Sequence, residues 1–283
     1  LIVGKSAHIF QWEAGGSSVL GGVSMSQVPV QPDGTLRLED IQASLRDATN
    51  VHQPLTRLIC LENTQGGVGG VPISAEYTQK VADFAHARGL KLHIDGARLF
   101  NAAAALNVHP RDLVKGADSI QICLSKGLAA PVGSLVVGSR EFIQRAYRMR
   151  KLVGGAMRQV GVVAAAGLIA LRDMRQRLDE DHVHAQLLAE ALALAPGITV
   201  HPVHQRTNMV FFSIPETMDS AAFRAAMKAQ GIILSGGPHF RLVTHVWITK
   251  DRALFAAAAI RHYMEKHAPL TTKGTMLEGQ TAY

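Results

Sequence analysis

"DSIQICLSKGLAAPVGSLVVG", residues 118–138, holds two apolar runs of strand length with a single lysine between them. "SIQICLS" and "SLVVG" are rich in Ile, Leu and Val, the pattern of apolar strands. Lys126 stands at the end of the first run. An ammonium is costly to bury without a partner. One reading is a lysine that reaches back to water from a strand end. Small residues before it and "GLAAPVG" after it give it no helix face to run along. The other reading is a lysine that works as an amine, forming a Schiff base with a carbonyl in a desolvated site that favours its neutral form.

Upstream, strand and helix alternate. "LIVG" and "LTRLICLEN" read as strands, and Pro32-Asp33-Gly34 as a turn between short elements. Leu38–Arg46 reads as a short helix. "SAEYTQKVADFAHARG" is an amphipathic helix with Ser74 as its cap and Gly89 as its stop, followed directly by the strand "LKLHID" and an Ala-rich helix at "LFNAAAAL". Such alternation predicts an α/β architecture with a mostly parallel sheet. From Arg140 to Leu194 the pattern is helical, and Val160–Leu171, "VGVVAAAGLIAL", reads as a core helix. "GITVHPV", "NMVFFSI" and "HFRLVTH" then read as strands, with helices at "DSAAFRAAMKAQG" and "KDRALFAAAAIRHYMEKH", an α+β pattern. The expected division is a large domain over residues 1–175, a smaller C-terminal domain over 176–268 and a flexible tail over 269–283.

The bulk numbers narrow the function. The chain has 283 residues, 47% of them hydrophobic, enough for a sizeable core. The net charge of +7 is scattered rather than gathered in a stripe, which argues against nucleic acid and for a small anionic ligand. The two cysteines, Cys60 and Cys123, form no C-x-x-C pair and read as buried free thiols of a reducing compartment, the cytoplasm. No metal site and no membrane span are expected, since the longest apolar run is shorter than the ~20 residues a crossing needs. The chain opens at Leu1 inside a strand, so a segment ahead of it is expected.

In an open α/β sheet, ligands sit beyond the carboxyl ends of the strands. There the sequence places Glu62-Asn63-Thr64-Gln65, Asp95-Gly96-Ala97-Arg98, Ser125-Lys126 and, after the first strand, His8. Asp95 reads either as a strand-end carboxylate capping the next turn or as the partner of a protonated ring nitrogen, which pyridoxal phosphate needs in order to act as an electron sink. Asp95 and Lys126 follow successive strands and could flank one flat ring. The Gly-rich "GGVGGV" of residues 66–71 runs into Pro72 and Ser74 rather than a helix, so it reads as a loop near the site and not as a nucleotide fingerprint.

Four stretches, "HIDGARLFNAA", "ICLSKGLAAPVGSLVVGS", "GGAMRQVGVVAAAG" and "RLVTH", together resemble the low-specificity L-threonine aldolases. These are pyridoxal-phosphate enzymes of the β-eliminating lyase group, with an aspartate-aminotransferase-like fold, and the likeness runs to about residue 265. It implies retro-aldol cleavage of L-threonine, L-allo-threonine and related β-hydroxy-α-amino acids to glycine and an aldehyde, in a homo-oligomer built as a dimer of dimers. The residues alone reach a Schiff-base lysine with an acidic ring partner, and threonine comes from the resemblance.

By the resemblance, Lys126 is the lysine bonded to the cofactor, with Ser125 beside it in the cofactor-binding set. Asp95 is the carboxylate on the pyridine nitrogen. His8 stacks on the cofactor ring near the substrate hydroxyl and acts as the catalytic base. Arg98 lies near the cofactor and the substrate carboxylate. Arg241 clamps that carboxylate, a task a two-pronged guanidinium suits better than an ammonium. Lys151 and Arg158 line the site and reach phosphate from a neighbouring subunit. Taken singly, His8 would read as structural, Arg241 as a surface charge and Arg158 as a partner of helix-end carbonyls. Their joint placement in matched motifs raises them.

Two departures stand out. Where the family has a histidine after "ENT", this chain has Gln65, here a substrate-binding residue that can hydrogen-bond but cannot take a proton. The family's phosphate-cradling loop would lie ahead of Leu1, so weak cofactor binding, or none, is expected. The alternatives are another pyridoxal-phosphate reaction, β-elimination or racemisation, or a catalytically inactive subunit.

Overall fold

The computed structural model describes residues 1–201, 207–268 and 275–276. The chain divides into two compact units: Leu1–Val68 with Pro72–Gln176, and Gly69–Val71 with the chain from Arg177 onward.

The first unit runs β1 (Ile2–Gly4), α1 (His8–Gln11), α2 (Gly16–Gly21), β2 (Ser26–Val28), α3 (Leu38–Ala43), β3 (Leu58–Glu62), α4 (Ala75–His86), β4 (Lys91–Asp95), α5 (Leu99–Leu106), β5 (Ser119–Cys123), β6 (Ser134–Gly138), α6 (Arg140–Leu152) and α7 (Gly161–Arg172). Its sheet has the order β2-β1-β3-β4-β5-β6. All pairings are parallel except β5 with β6. The ten residues from Leu124 to Gly133 are too few for the crossover of a dozen or more that a parallel return needs, so β6 comes back antiparallel.

Successive side chains of a strand point to opposite faces. Ile2, Ile59, Leu61 and Leu92 therefore pack on one face with Val81, Ala82 and Ala85 of α4, while Val3 and Cys60 join a second cluster with Ala7 on the other. Burial on both faces is why β1 and β3 read as unbroken apolar runs. Helix α4 starts as expected: Ser74 Oγ accepts the Tyr77 N–H at 3.1 Å, and Gly89 turns the chain away at φ 68°.

Two expectations are corrected. Helix α7 is not a core helix: only Gly167 and Ala170 are buried, and Val162 and Leu168 are 78% and 68% exposed. Apolar composition all round signals that a helix is to be covered, but this unit covers only the side that meets Leu124. Of the two free thiols, Cys60 is buried and Cys123 only half-buried.

The second unit runs α8 (Leu178–Ala193), β7 (Thr199–His201), β8 (Met209–Ser213), α9 (Ser220–Ala229), β9 (His239–Val243), α10 (Lys250–His267) and β10 (Thr275–Met276). Its sheet, β10-β7-β8-β9, is antiparallel across β7-β8 and β8-β9 and parallel across β10-β7. Leu188, Leu192, Phe212, Phe223, Phe240 and Ile260 share its core, with the Phe212 and Phe240 rings stacked at 5.1 Å. Asp219 caps α9, its Oδ1 accepting from Ala221 N at 2.8 Å. Thr207 donates to the carbonyl of Gly70 at 2.8 Å, which ties the Gly69–Val71 segment to this unit. The end of the "GITVHPV" strand and, apart from β10, the expected tail of residues 269–283 lie outside the described residues.

Candidate active site

The carboxyl ends of β1, β3, β4 and β5 lie side by side in the first unit, because these strands are neighbours in one parallel sheet. Glu62, the last residue of β3, is the register partner of Asp95, the last of β4. Asp95 is in turn the partner of Gln121 on β5. Adjacent strands run ~4.8 Å apart, so two carboxylates end the central strands beside each other.

Asp95 Oδ1 accepts the Ala97 N–H at 3.0 Å, which fixes the turn into α5. Gly96 donates to the carbonyl of Gln121 at 2.8 Å. A Cβ on Gly96 would lie 2.7 Å from that same oxygen, so only glycine lets the Asp95 turn approach β5 this closely. Arg98, half-buried, stands just before α5, where its charge acts on Glu62.

Lys126 is half-buried in the loop after β5 and Ser125 is exposed. The loop is closed at its neck, where Leu124 donates to Gly133 and accepts from Ala130, both at 2.9 Å. Within it, Ala129 donates to the Lys126 carbonyl at 2.9 Å. This accounts for the lysine between two strands: a short, hydrogen-bonded loop holds it at the strand-end edge.

His8 begins α1 directly beyond β1. Its N–H donates to Glu62 Oε2 at 2.7 Å, while its Nε2 lies 2.8 Å from Glu13 Oε1 in an exposed pair. Gln65 is 2% exposed, and its amide is used within the loop. Gln65 Oε1 accepts from Gly67 N at 2.7 Å and Val68 N at 3.0 Å, and its Nε2 faces Ser6 Oγ and Glu62 Oε2, each at 3.5 Å. Asn63 braces the other side of the loop, exchanging two 3.0 Å bonds with the backbone of Ile73.

Glu62 is the group that sequence reasoning left without a role. It appeared only as one of the strand-end residues, although an acid closing the apolar run "RLICLE" is itself a signal. It is 8% exposed. Burial, with the Asp95 charge adding to it, pushes its carboxyl up to about 7, while hydrogen bonds from Gly66 and His8 and the charge of Arg98 pull it down.

The remaining candidates are carried by other elements. Lys151, at the end of α6, and Arg158, in the segment before α7, are both exposed. Arg241 belongs to the second unit, exposed on β9 as the register partner of Phe211. Among the described residues no cluster of His, Cys, Asp or Glu suits a metal ion, and no helix is long and apolar enough to cross a membrane.

The donor set suits pyridoxal phosphate. A carboxylate on a rigid strand end suits a protonated pyridine nitrogen, and a half-buried primary amine in the loop after the next strand suits the aldehyde carbon. Thr64 Oγ1, in the loop after Glu62, is buried without a hydrogen-bond partner among the described residues.

The chain matches the family described as β-eliminating lyase over residues 1–215. It is 45% identical over 269 residues to low-specificity L-threonine aldolase 1 of Arabidopsis thaliana, covering 93% of this chain and 75% of that one. In fold it resembles a putative L-allo-threonine aldolase from Listeria monocytogenes, with a TM-score of 0.76 at 18% identity over 94% of this chain and 74% of the other. It also resembles an α-aminoadipate aminotransferase of Thermus thermophilus solved with N-(5′-phosphopyridoxyl)-L-leucine, with a TM-score of 0.63 at 13% identity over 94% and 71%. The aminotransferase-like α/β architecture expected from the sequence is therefore the one observed, and with the family match and the 45% identity both running over most of its length, the chain belongs to the β-eliminating lyase family, among the low-specificity L-threonine aldolases.

Proposed function

We propose that this protein cleaves L-threonine, L-allo-threonine and related β-hydroxy-α-amino acids to glycine and an aldehyde. The observation that carries the reading is the strand-end set of the first unit: Asp95 in register with Glu62, with Lys126 held on the neighbouring strand end. It occurs in a chain that is 45% identical to an L-threonine aldolase over 93% of its length.

Pyridoxal phosphate, when bound, supplies an electron sink for the pair left on Cα as the Cα–Cβ bond breaks. Lys126 holds the cofactor covalently, with Ser125 beside it. Asp95, its Oδ1 anchored by Ala97 N, keeps the proton on the pyridine nitrogen. Arg98 orients the substrate carboxylate, and Arg241 has the same assignment on its own unit. Gln65, enclosed in its loop, supports the substrate side through that loop. His8 takes the proton of the β-hydroxyl and returns one to the product side, a general-base task that needs an imidazole free to turn, as an exposed ring paired with Glu13 is.

The protein is proposed to act as a homo-oligomer, a dimer of dimers, with Lys151 and Arg158 serving the phosphate of a neighbouring copy. Support comes from apolar side chains left uncovered on β6, α6 and α7, among them Val136, Tyr147, Leu152, Val162 and Leu168. Exposed apolar area on this scale marks an interaction face. A cytoplasmic setting fits two free cysteines.

The test is product analysis. The protein loaded with pyridoxal phosphate should release glycine and acetaldehyde in equal amounts from L-threonine. Pyruvate from L-serine as the dominant product would overturn the aldolase assignment in favour of β-elimination.

A further inference from the structure

We propose that Glu62 is a positioning residue, a buried carboxylate that clamps the turn bearing His8 to the loop after β3 and so sets where the His8 imidazole stands.

The geometry is specific. One oxygen, Oε2, accepts the His8 N–H at 2.7 Å, and the other, Oε1, accepts the Gly66 N–H at 2.8 Å. The two donors belong to separate loops, one leaving β1 and one leaving β3, and those strands are neighbours. The loops also touch: a Cβ on Gly67 would fall 2.8 Å from both the Cβ and the carbonyl oxygen of Ser6. Gln65 closes the same loop from within, leaving Gly67 N and Val68 N fully used. A single side chain thus fixes the backbone from which His8 projects. The ring itself is exposed, and its own partner, Glu13, is exposed as well. Such surface pairs hold geometry weakly, so the buried backbone bond is the firmer constraint.

The charges around Glu62 make the clamp sensitive to protonation. Asp95 faces it from β4 and opposes its ionisation, and Arg98 at the start of α5 favours it. Cys60, buried on the same strand, has its thiol pushed up to about 12, chiefly by burial and then by Asp95. An ionised Glu62 accepts both N–H groups, whereas a protonated one must spend one oxygen as a donor. A cation near Arg98 and Asp95 would favour the ionised clamp, and an added anion would oppose it.

This inference rests on His8 acting as the base, and the experiment separates the two. In cofactor-free protein, the amide resonances of His8 and Gly66 are followed from pH 5 to 9. The clamp requires both to shift together, with one midpoint near 7, and requires Glu62→Gln to abolish the shared shift. In loaded protein, Glu62→Gln should lower kcat for L-threonine by about ten- to a hundredfold, leave KM within about threefold and change the pH profile. Amides that do not titrate together in the wild type, or Glu62→Gln with wild-type kcat and pH profile, would overturn the proposal. If Glu62→Gln fails to fold, the wild-type amide titration still decides. If His8→Ala keeps full turnover while the amides titrate together, the clamp is upheld and the base assignment falls alone.

Discussion

Gly96→Ala isolates what the close approach of β4 and β5 contributes. The new Cβ would lie 2.7 Å from the carbonyl oxygen of Gln121, 3.2 Å from Ile120 Cγ2 and 3.2 Å from Leu99 Cβ. The first contact is with backbone and cannot be relieved by a rotamer change. The turn must retreat by about half an ångström, which strains the 2.8 Å bond from Gly96 N to the same oxygen. Overpacking of this kind costs about 1–3 kcal/mol, and weakening the hydrogen bond adds up to ~1 kcal/mol. Alanine recovers ~0.4–1 kcal/mol by restricting the unfolded chain. The net expectation is a loss of about 1–3 kcal/mol, or roughly 3–10 °C in Tm for a unit of this size. Asp95 shifts with the turn, so affinity for pyridoxal phosphate should fall as well. The assay is a pair of thermal melts, with and without cofactor, beside Gly16→Ala, where a Cβ meets nothing within 4 Å. If Gly96→Ala melts within about 1 °C of the Gly16 control and binds cofactor normally, the close-approach argument is wrong.

Other outcomes can be set beside it. Glu62 is raised from 4.5 to about 7 in the fold, so its contribution is fully present below pH 4.5 and is lost as pH rises through 7. The gap corresponds to roughly 3 kcal/mol, so Tm of the cofactor-free protein should carry a decline between pH 4.5 and 8 that Glu62→Gln removes, and equal pH slopes in the two proteins would refute it. Lys126→Ala should abolish both the visible absorbance of bound cofactor and turnover; normal turnover would end its assignment. Arg241→Lys should raise KM for L-threonine about tenfold, ~1.4 kcal/mol, through loss of one of two parallel bonds, and an unchanged KM would remove it from the substrate carboxylate. Gln65→His leaves a single ring acceptor for the Gly67 and Val68 amides, so it should cost ~1–2 kcal/mol and speed hydrogen exchange at one of them.

What the sequence revealed and what it hid follow from how far each signal reaches along the chain. The parallel strands were legible because Ile59, Cys60 and Leu61 bury side chains on both faces, and two-sided burial writes itself as a continuous apolar run. The Asp95 and Lys126 positions were legible because a strand end is a local feature. Helix α7 misled because apolar composition reports that a surface is to be covered and not what covers it: Val162 and Leu168 look like core and lie outside. Glu62 escaped for a different reason. Its partners, His8 and Gly66, come from two loops, and the His8 bond spans 54 positions along the chain. No spacing rule connects residues that far apart, and only the β1–β3 pairing brings them together.

The glutamine at position 65 bears on how protons can move at these strand ends. Its carbonyl oxygen is occupied by two backbone N–H groups, so its amide is held in one orientation with the NH2 turned to Ser6 and Glu62. An amide so placed can pass no proton, whatever the pH. The His8 imidazole and the Glu62 carboxyl can exchange one, and they are joined through the His8 backbone rather than ring to carboxyl. A proton gained by Glu62 therefore acts on His8 by loosening its anchor, without passing to it. If His8 is the base, its position answers to the protonation of a buried acid in contact with its main chain.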